Sequence, residues 1–172
     1  MNVQKLRDTA NMLVANDKGL LAMDESNPTC NKRFAKLGIP QTEEYRRAYR
    51  ELLITTTGLG KFISGVILYD ETIRERTSDG TPFVEAITGA GLVVGIKVDT
   101  GAKHLAGHPG EKVTEGLDGL RDRLAESSRM GARFAKWPAG FAFGADAPSR
   151  GRSEPHPPPL ASRAGLCRRA TP

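Results

Sequence analysis

Two lysines sit inside apolar, β-branched runs. Lys97 interrupts Val93-Val94-Gly95-Ile96-Lys97-Val98-Asp99, and Lys136 lies in Phe134-Ala135-Lys136-Trp137. Such runs read as strands of a parallel sheet covered on both faces, where an ammonium must pair with a carboxylate or serve a ligand. Two further runs end in acid: Leu20-Leu21-Ala22-Met23 meets Asp24-Glu25, and Val66-Ile67-Leu68-Tyr69 meets Asp70-Glu71. Charge at or near the C-terminal end of four strand-like segments predicts polar groups converging on one rim of a barrel or open parallel sheet. That rim is where such folds hold their ligands. Residues 1–150 carry a net +2, and so mildly basic a body would suit an anionic small substrate. The competing reading is structural, with Lys97 and Lys136 paired across the sheet to Asp24, Asp99 or Glu71.

The segments between these runs have a helical period. Val3 to Val14 places Leu6, Ala10, Leu13 and Val14 on one face. A second helix starts after Thr42, a good N-cap; Glu43 and Glu44 favour the positive end of its dipole, and Tyr45, Ala48, Tyr49, Leu52 and Leu53 form its apolar stripe. A short helix is expected near Phe83 to Thr88. A third long one runs from Thr114 to Met130, with Leu117, Leu120 and Leu124 inward and Gly131 as its stop. Strands alternating with helices predict right-handed βαβ units, hence an α/β fold with a parallel sheet. A closed eight-stranded α/β barrel needs roughly 250 residues; this chain has 172 and four strand-like units.

Composition narrows the function classes. The chain is 38% hydrophobic and 26% charged, as expected of a globular protein. No apolar run approaches the roughly 18 residues of a membrane span, and the N-terminus has no secretory signal. Cys30 and Cys167 match neither a disulfide framework nor a zinc pattern, which makes a reducing cytoplasm the expected setting. His104 and His108 are four apart, but Gly107 and Pro109 oppose a helix and no carboxylate or cysteine completes a site, so no metal is expected. The net charge is +5, yet residues 151–172 hold four arginines against one glutamate and so carry three of those charges. Acids and bases interleave elsewhere, with no aromatic-studded basic stripe; nucleic acid and membrane are therefore not expected partners. From Gly151 onward 16 of 22 residues are Pro, Arg, Ala, Ser or Gly, which reads as a disordered tail following a folded region of residues 1–150. The abrupt change of texture also raises an out-of-frame origin in a GC-rich gene, testable by sequencing the coding DNA.

Read together, five ordered stretches resemble class I fructose-bisphosphate aldolase. They are Gly19-Leu20-Leu21-Ala22-Met23-Asp24-Glu25-Ser26, Ile63-Ser64-Gly65-Val66-Ile67-Leu68, Val94-Gly95-Ile96-Lys97-Val98-Asp99, Gly116-Leu117-Asp118-Gly119-Leu120 and Phe134-Ala135-Lys136-Trp137. The resemblance covers about residues 1 to 150 and implies a TIM (β/α)8 barrel, here incomplete at about four βα units. It implies a metal-free lyase of glycolysis, without cofactor, that cleaves fructose 1,6-bisphosphate into glycerone phosphate and glyceraldehyde 3-phosphate through a lysine Schiff base. It also implies a homo-oligomer for the full-length protein.

Carried over position by position, the resemblance gives Asp24 and Lys136 catalytic roles. Asp24 would contact the substrate and support proton transfer, and Lys136 would assist carbinolamine chemistry beside the Schiff-base lysine. Ser26, Thr29, Arg33 and Lys97 would bind phosphate, with Arg46 a further contact on the following helix. The family has an arginine directly after its Lys-Trp pair, where this chain has Pro138. No residue here matches the Schiff-base lysine, so a truncated, inactive form is expected. Two alternatives remain: a non-catalytic sugar-phosphate-binding fragment, and an interaction protein acting through its basic tail.

Overall fold

The computed structural model describes residues 3–138 and 164–165. In chain order it contains α1 (Val3–Leu13), β1 (Gly19–Ala22), α2 (Asn27–Lys36), α3 (Glu43–Ile54), β2 (Ile63–Leu68), α4 (Asp70–Arg74), α5 (Phe83–Gly89), β3 (Val93–Lys97), β4 (Gly101–His104), β5 (Lys112–Glu115), α6 (Leu120–Arg129) and β6 (Phe134–Lys136). The strands β1, β2, β3 and β6 form one parallel sheet in that spatial order, while β4 and β5 pair as a separate antiparallel hairpin. The proline- and arginine-rich stretch and the expected boundary at residue 150 lie outside the described residues, apart from 164–165.

The register sorts the sheet into two faces. Ala22 stands opposite Ile67, Ile67 opposite Gly95, and Gly95 opposite Phe134, so these four share a face because side chains alternate along a strand. The other face carries Val66, Leu68, Val94 and Ile96, and it is this face that meets Phe83, Ile87, Leu120 and Leu124 in the hydrophobic core. Helix-covered apolar residues thus fill one side, and on the other the small residues Ala22 and Gly95 alternate across the sheet with Ile67 and Phe134. At Gly95 the need for glycine is steric: a Cβ there would come within 2.3 Å of the Phe134 ring. Toward the N-terminal ends of the strands, Ser64 Oγ donates to the Leu13 carbonyl at 2.7 Å and ties the end of α1 to β2.

The four expected strands form where the runs predict them, and Thr42 caps α3 by accepting from the Tyr45 N–H. Two expectations are corrected and one element was not foreseen. On α3 the buried positions are Arg46, Arg50 and Ile54, while Tyr45 and Leu52 are exposed, so the helix turns a partly charged face inward. The helix expected from Thr114 starts at Leu120; Thr114 belongs to β5, and Leu117 is exposed. The hairpin itself went unread because its strands are four residues long and mostly polar, leaving no apolar period to detect.

Candidate functional site

Asp24, two residues past the end of β1, and Lys136 on β6 stand at the two edges of the four-stranded sheet, yet Asp24 Oδ2 is 2.6 Å from Lys136 Nζ. Three strand spacings amount to about 14 Å across a flat sheet, more than the two side chains can span. The sheet is therefore curled, and its concave face is the one lined by Ala22, Gly95 and Phe134. Lys97 stands directly opposite Lys136 in register, on that same face. The ladder continues past β1 through the Met23 N–H to the Ile67 carbonyl. Extending the registers by one or two residues puts Asp24, Tyr69, Lys97 and Lys136 in a single row at the C-terminal ends of the strands. Sequence reading placed Tyr69 only as a strand residue. Its hydroxyl is pushed up from the ordinary tyrosine value by burial, helped by Asp70, Glu71 and Asp99.

Lys97 is paired locally, its Nζ 2.7 Å from Asp99 Oδ2. Of the carboxylates considered for it from sequence, Asp99 is the one it contacts. Beside the row, the turn after β1 leads into α2. Ser26 is the N-cap, and its Oγ lies 3.1 Å from Thr29 Oγ1, so two hydroxyls stand together at the helix start. Arg33, one turn further on, is exposed and pairs with Glu25. From the other side the buried Arg50 donates to a Glu25 carboxylate oxygen and, at 2.8 Å, to its backbone carbonyl. Burial pushes the Glu25 carboxyl up, but its own backbone N–H and the guanidinium groups of Arg50 and Arg33 outweigh that and hold it below the usual range.

Arg46 is not brought to this group. Its Nε and Nη2 donate to the two Glu71 oxygens at 2.8 and 2.7 Å, and Nη1 reaches Asn31 Oδ1 and the Gln41 carbonyl. With all three nitrogens engaged inside the protein, Arg46 is part of the scaffold. It holds the Glu71 carboxyl below its ordinary value, with Asn27 assisting. Sequence reading missed Glu25 and Arg50 as supports of the site; the signal available was the spacing 46, 50, 54, one helical face on which two arginines accompany a buried isoleucine.

A groove of about 760 Å³ opens between α3, α4 and the turn at residues 75–80, but none of Asp24, Lys97 and Lys136 lines it. Among the described residues no group of three or more His, Cys, Asp or Glu is assembled that could hold a metal ion. Nor, among the described residues, is any helix long and apolar enough to cross a membrane.

The chain that carries this rim is similar to known proteins along most of its length. A probable fructose-bisphosphate aldolase class 1 from Xanthomonas axonopodis pv. citri (strain 306) is 56% identical over 167 residues, which is 97% of this chain and 50% of that protein. The cytosolic fructose-bisphosphate aldolase 6 of Arabidopsis thaliana is 51% identical over 133 residues, covering 77% of this chain and 37% of its own. Among solved structures, fructose-bisphosphate aldolase from Plasmodium falciparum, crystallised in a ternary complex with TRAP and a small-molecule inhibitor, superposes with a TM-score of 0.92 at 40% identity. That match covers 95% of this chain and 48% of the other. The chain spans about half the length of the curated bacterial relatives it matches. The family profile for fructose-bisphosphate aldolase class-I matches residues 5–171. With nearly its full length inside the match, the chain belongs to the class I fructose-bisphosphate aldolase family.

Proposed function

We propose that this chain carries the sugar-phosphate-binding half of an aldolase site and serves the cleavage of fructose 1,6-bisphosphate in the cytoplasm. The observation that supports it most is the Asp24 to Lys136 ion pair between the two edges of the sheet, which sets a carboxylate and an ammonium side by side on a concave, C-terminal rim. Lys97 and Arg33, with the Ser26 and Thr29 hydroxyls, bind phosphate oxygens through charge-assisted and neutral hydrogen bonds. Asp24 accepts from a sugar hydroxyl and supports proton movement. The Lys136 ammonium favours the neutral, nucleophilic form of an amine placed beside it. No lysine of residues 1–172 is assigned the covalent attack, and the chain by itself binds without cleaving.

Two readouts on the 172-residue protein test this. Fructose 1,6-bisphosphate should raise its melting temperature by mass action, and borohydride added to the same mixture should trap no lysine adduct by mass spectrometry. An adduct on Lys97 or Lys136 would overturn the division of labour, and an unchanged melting temperature would overturn the binding.

A further inference from the structure

Lys97 is supported more closely than a surface cation requires. Its Nζ meets Asp99 Oδ2 at 2.7 Å and donates to the Asp99 carbonyl at 3.3 Å. The Asp99 side chain is only 2% exposed. Its Oδ2 also accepts from the Gly101 N–H at 3.0 Å, while Oδ1 is buried with no hydrogen-bond partner among the described residues. Burying a carboxylate with one oxygen unused is costly, and a pair kept only for stability would do better as apolar residues.

The backbone around Asp99 is pinned from several directions. The Thr100 N–H donates to the Glu115 carbonyl at 2.9 Å, joining the two ends of the β4–β5 hairpin. Gly116, with φ at +125°, packs so closely that a Cβ would lie 2.8 Å from Thr100 N and 3.1 Å from Asp99 Cα. From α6, Arg123 donates to the Val98 carbonyl at 3.2 Å and to the Gly116 carbonyl. The root of a polar hairpin is thus fixed at the residue that holds Lys97.

We propose that Asp99, anchored by the hairpin root, is a positioning residue for anion binding: it fixes the Lys97 ammonium at the rim with one N–H left for a phosphate of the sugar substrate. This rests on the binding role given to Lys97 above. Two effects of opposite sign make it decidable. As a mere counter-ion, Asp99 competes with the incoming phosphate, so its removal should tighten binding. As a positioning residue, its removal should loosen binding, because a free lysine side chain must be ordered when the phosphate arrives.

Isothermal titration of the 172-residue chain with fructose 1,6-bisphosphate, in the wild type, Asp99→Asn, Lys97→Gln and the double variant, separates the two. The expected result is a loss on the order of tenfold in Asp99→Asn, the lower end of what the outer partners of metal-ligating groups carry. It should be partly rescued in Asp99→Glu and be absent in the Lys97→Gln background, where the amide still donates to Asp99 but brings no charge. Equal or tighter binding by Asp99→Asn would overturn the proposal, as would the same loss with and without Lys97. If Asp99→Asn does not fold, Gly116→Ala displaces Asp99 while keeping its charge and must show the same dependence on Lys97. A wild type that binds no bisphosphate is a separate result, overturning the role of Lys97 itself.

Discussion

Arg46 and Arg50 on α3 have side chains only 10% and 2% exposed, with carboxylates and carbonyls engaging their guanidinium groups. Lys97 and Lys136 at the rim are 15% and 35% exposed, each facing one carboxylate. All four are cations beside acids, and residue type alone does not tell them apart. The difference lies in burial and in what the donors meet. A buried guanidinium whose hydrogen bonds run to oxygens of the protein itself holds elements together, whereas a partly exposed ammonium with a spare N–H at a concave edge can receive an anion. The same contrast divides the carboxylates of the flank: Glu71 is held by Arg46 and Asn27, while both oxygens of nearby Glu75 are buried without a hydrogen-bond partner among the described residues.

The sharpest way to break the comparison is Arg50→Met. If Arg50 belongs to the scaffold, its loss leaves Glu25 half-supported in a partly buried place and should cost about 3 kcal/mol or more in urea denaturation. A variant as stable as the wild type would remove the distinction.

Next comes Glu75→Gln. Burial, with Glu71 and Glu43 adding, raises the Glu75 carboxyl to about 7 from an ordinary 4.5. A raised value in the fold means that the stability it confers is present below about 4.5 and lost as pH rises through about 7, a change of up to about 3 kcal/mol by linkage. Glu25 and Glu71 act with the opposite sign, since their lowered values confer stability above 4.5 that is lost as pH falls below it. Denaturation midpoints followed from pH 5 to 8 should therefore decline in the wild type and flatten in Glu75→Gln. Parallel curves would contradict the assignment.

A smaller effect is expected inside the sheet. Gly95→Ala would drive a methyl group into the Phe134 ring and should destabilise by about 1–3 kcal/mol, measured by thermal melting. Smallest of all is Leu52→Ser on the exposed side of α3, expected to stay within about 0.5 kcal/mol. A large loss there would restore the stripe read from sequence and turn Arg46 and Arg50 outward.

The sheet was legible because Val93–Lys97 and Ile63–Leu68 are apolar on both faces, a pattern with few other solutions. Lys97, Lys136 and Asp24 were legible as chemistry because charge in such runs needs a reason. The α3 face was misread because periodicity assigns polar residues outward, and nothing local shows that Glu25 and Glu71, 25 residues away on either side of Arg50 and Arg46, supply the carboxylates that let arginines turn inward. The hairpin after Asp99 escaped for the same reason: its stability comes from pairing and from Arg123, not from an apolar pattern.

The central claim is that the curled rim, and not the charged flank or the hairpin, receives the sugar phosphate. NMR titration of the protein carrying ¹³C-labelled, chemically unmodified lysines with fructose 1,6-bisphosphate tests it most directly. The account predicts saturable shifts at Lys97 and Lys136 with Lys103 and Lys112 unmoved; equal shifts at all four lysines, or none at the rim pair, would contradict it.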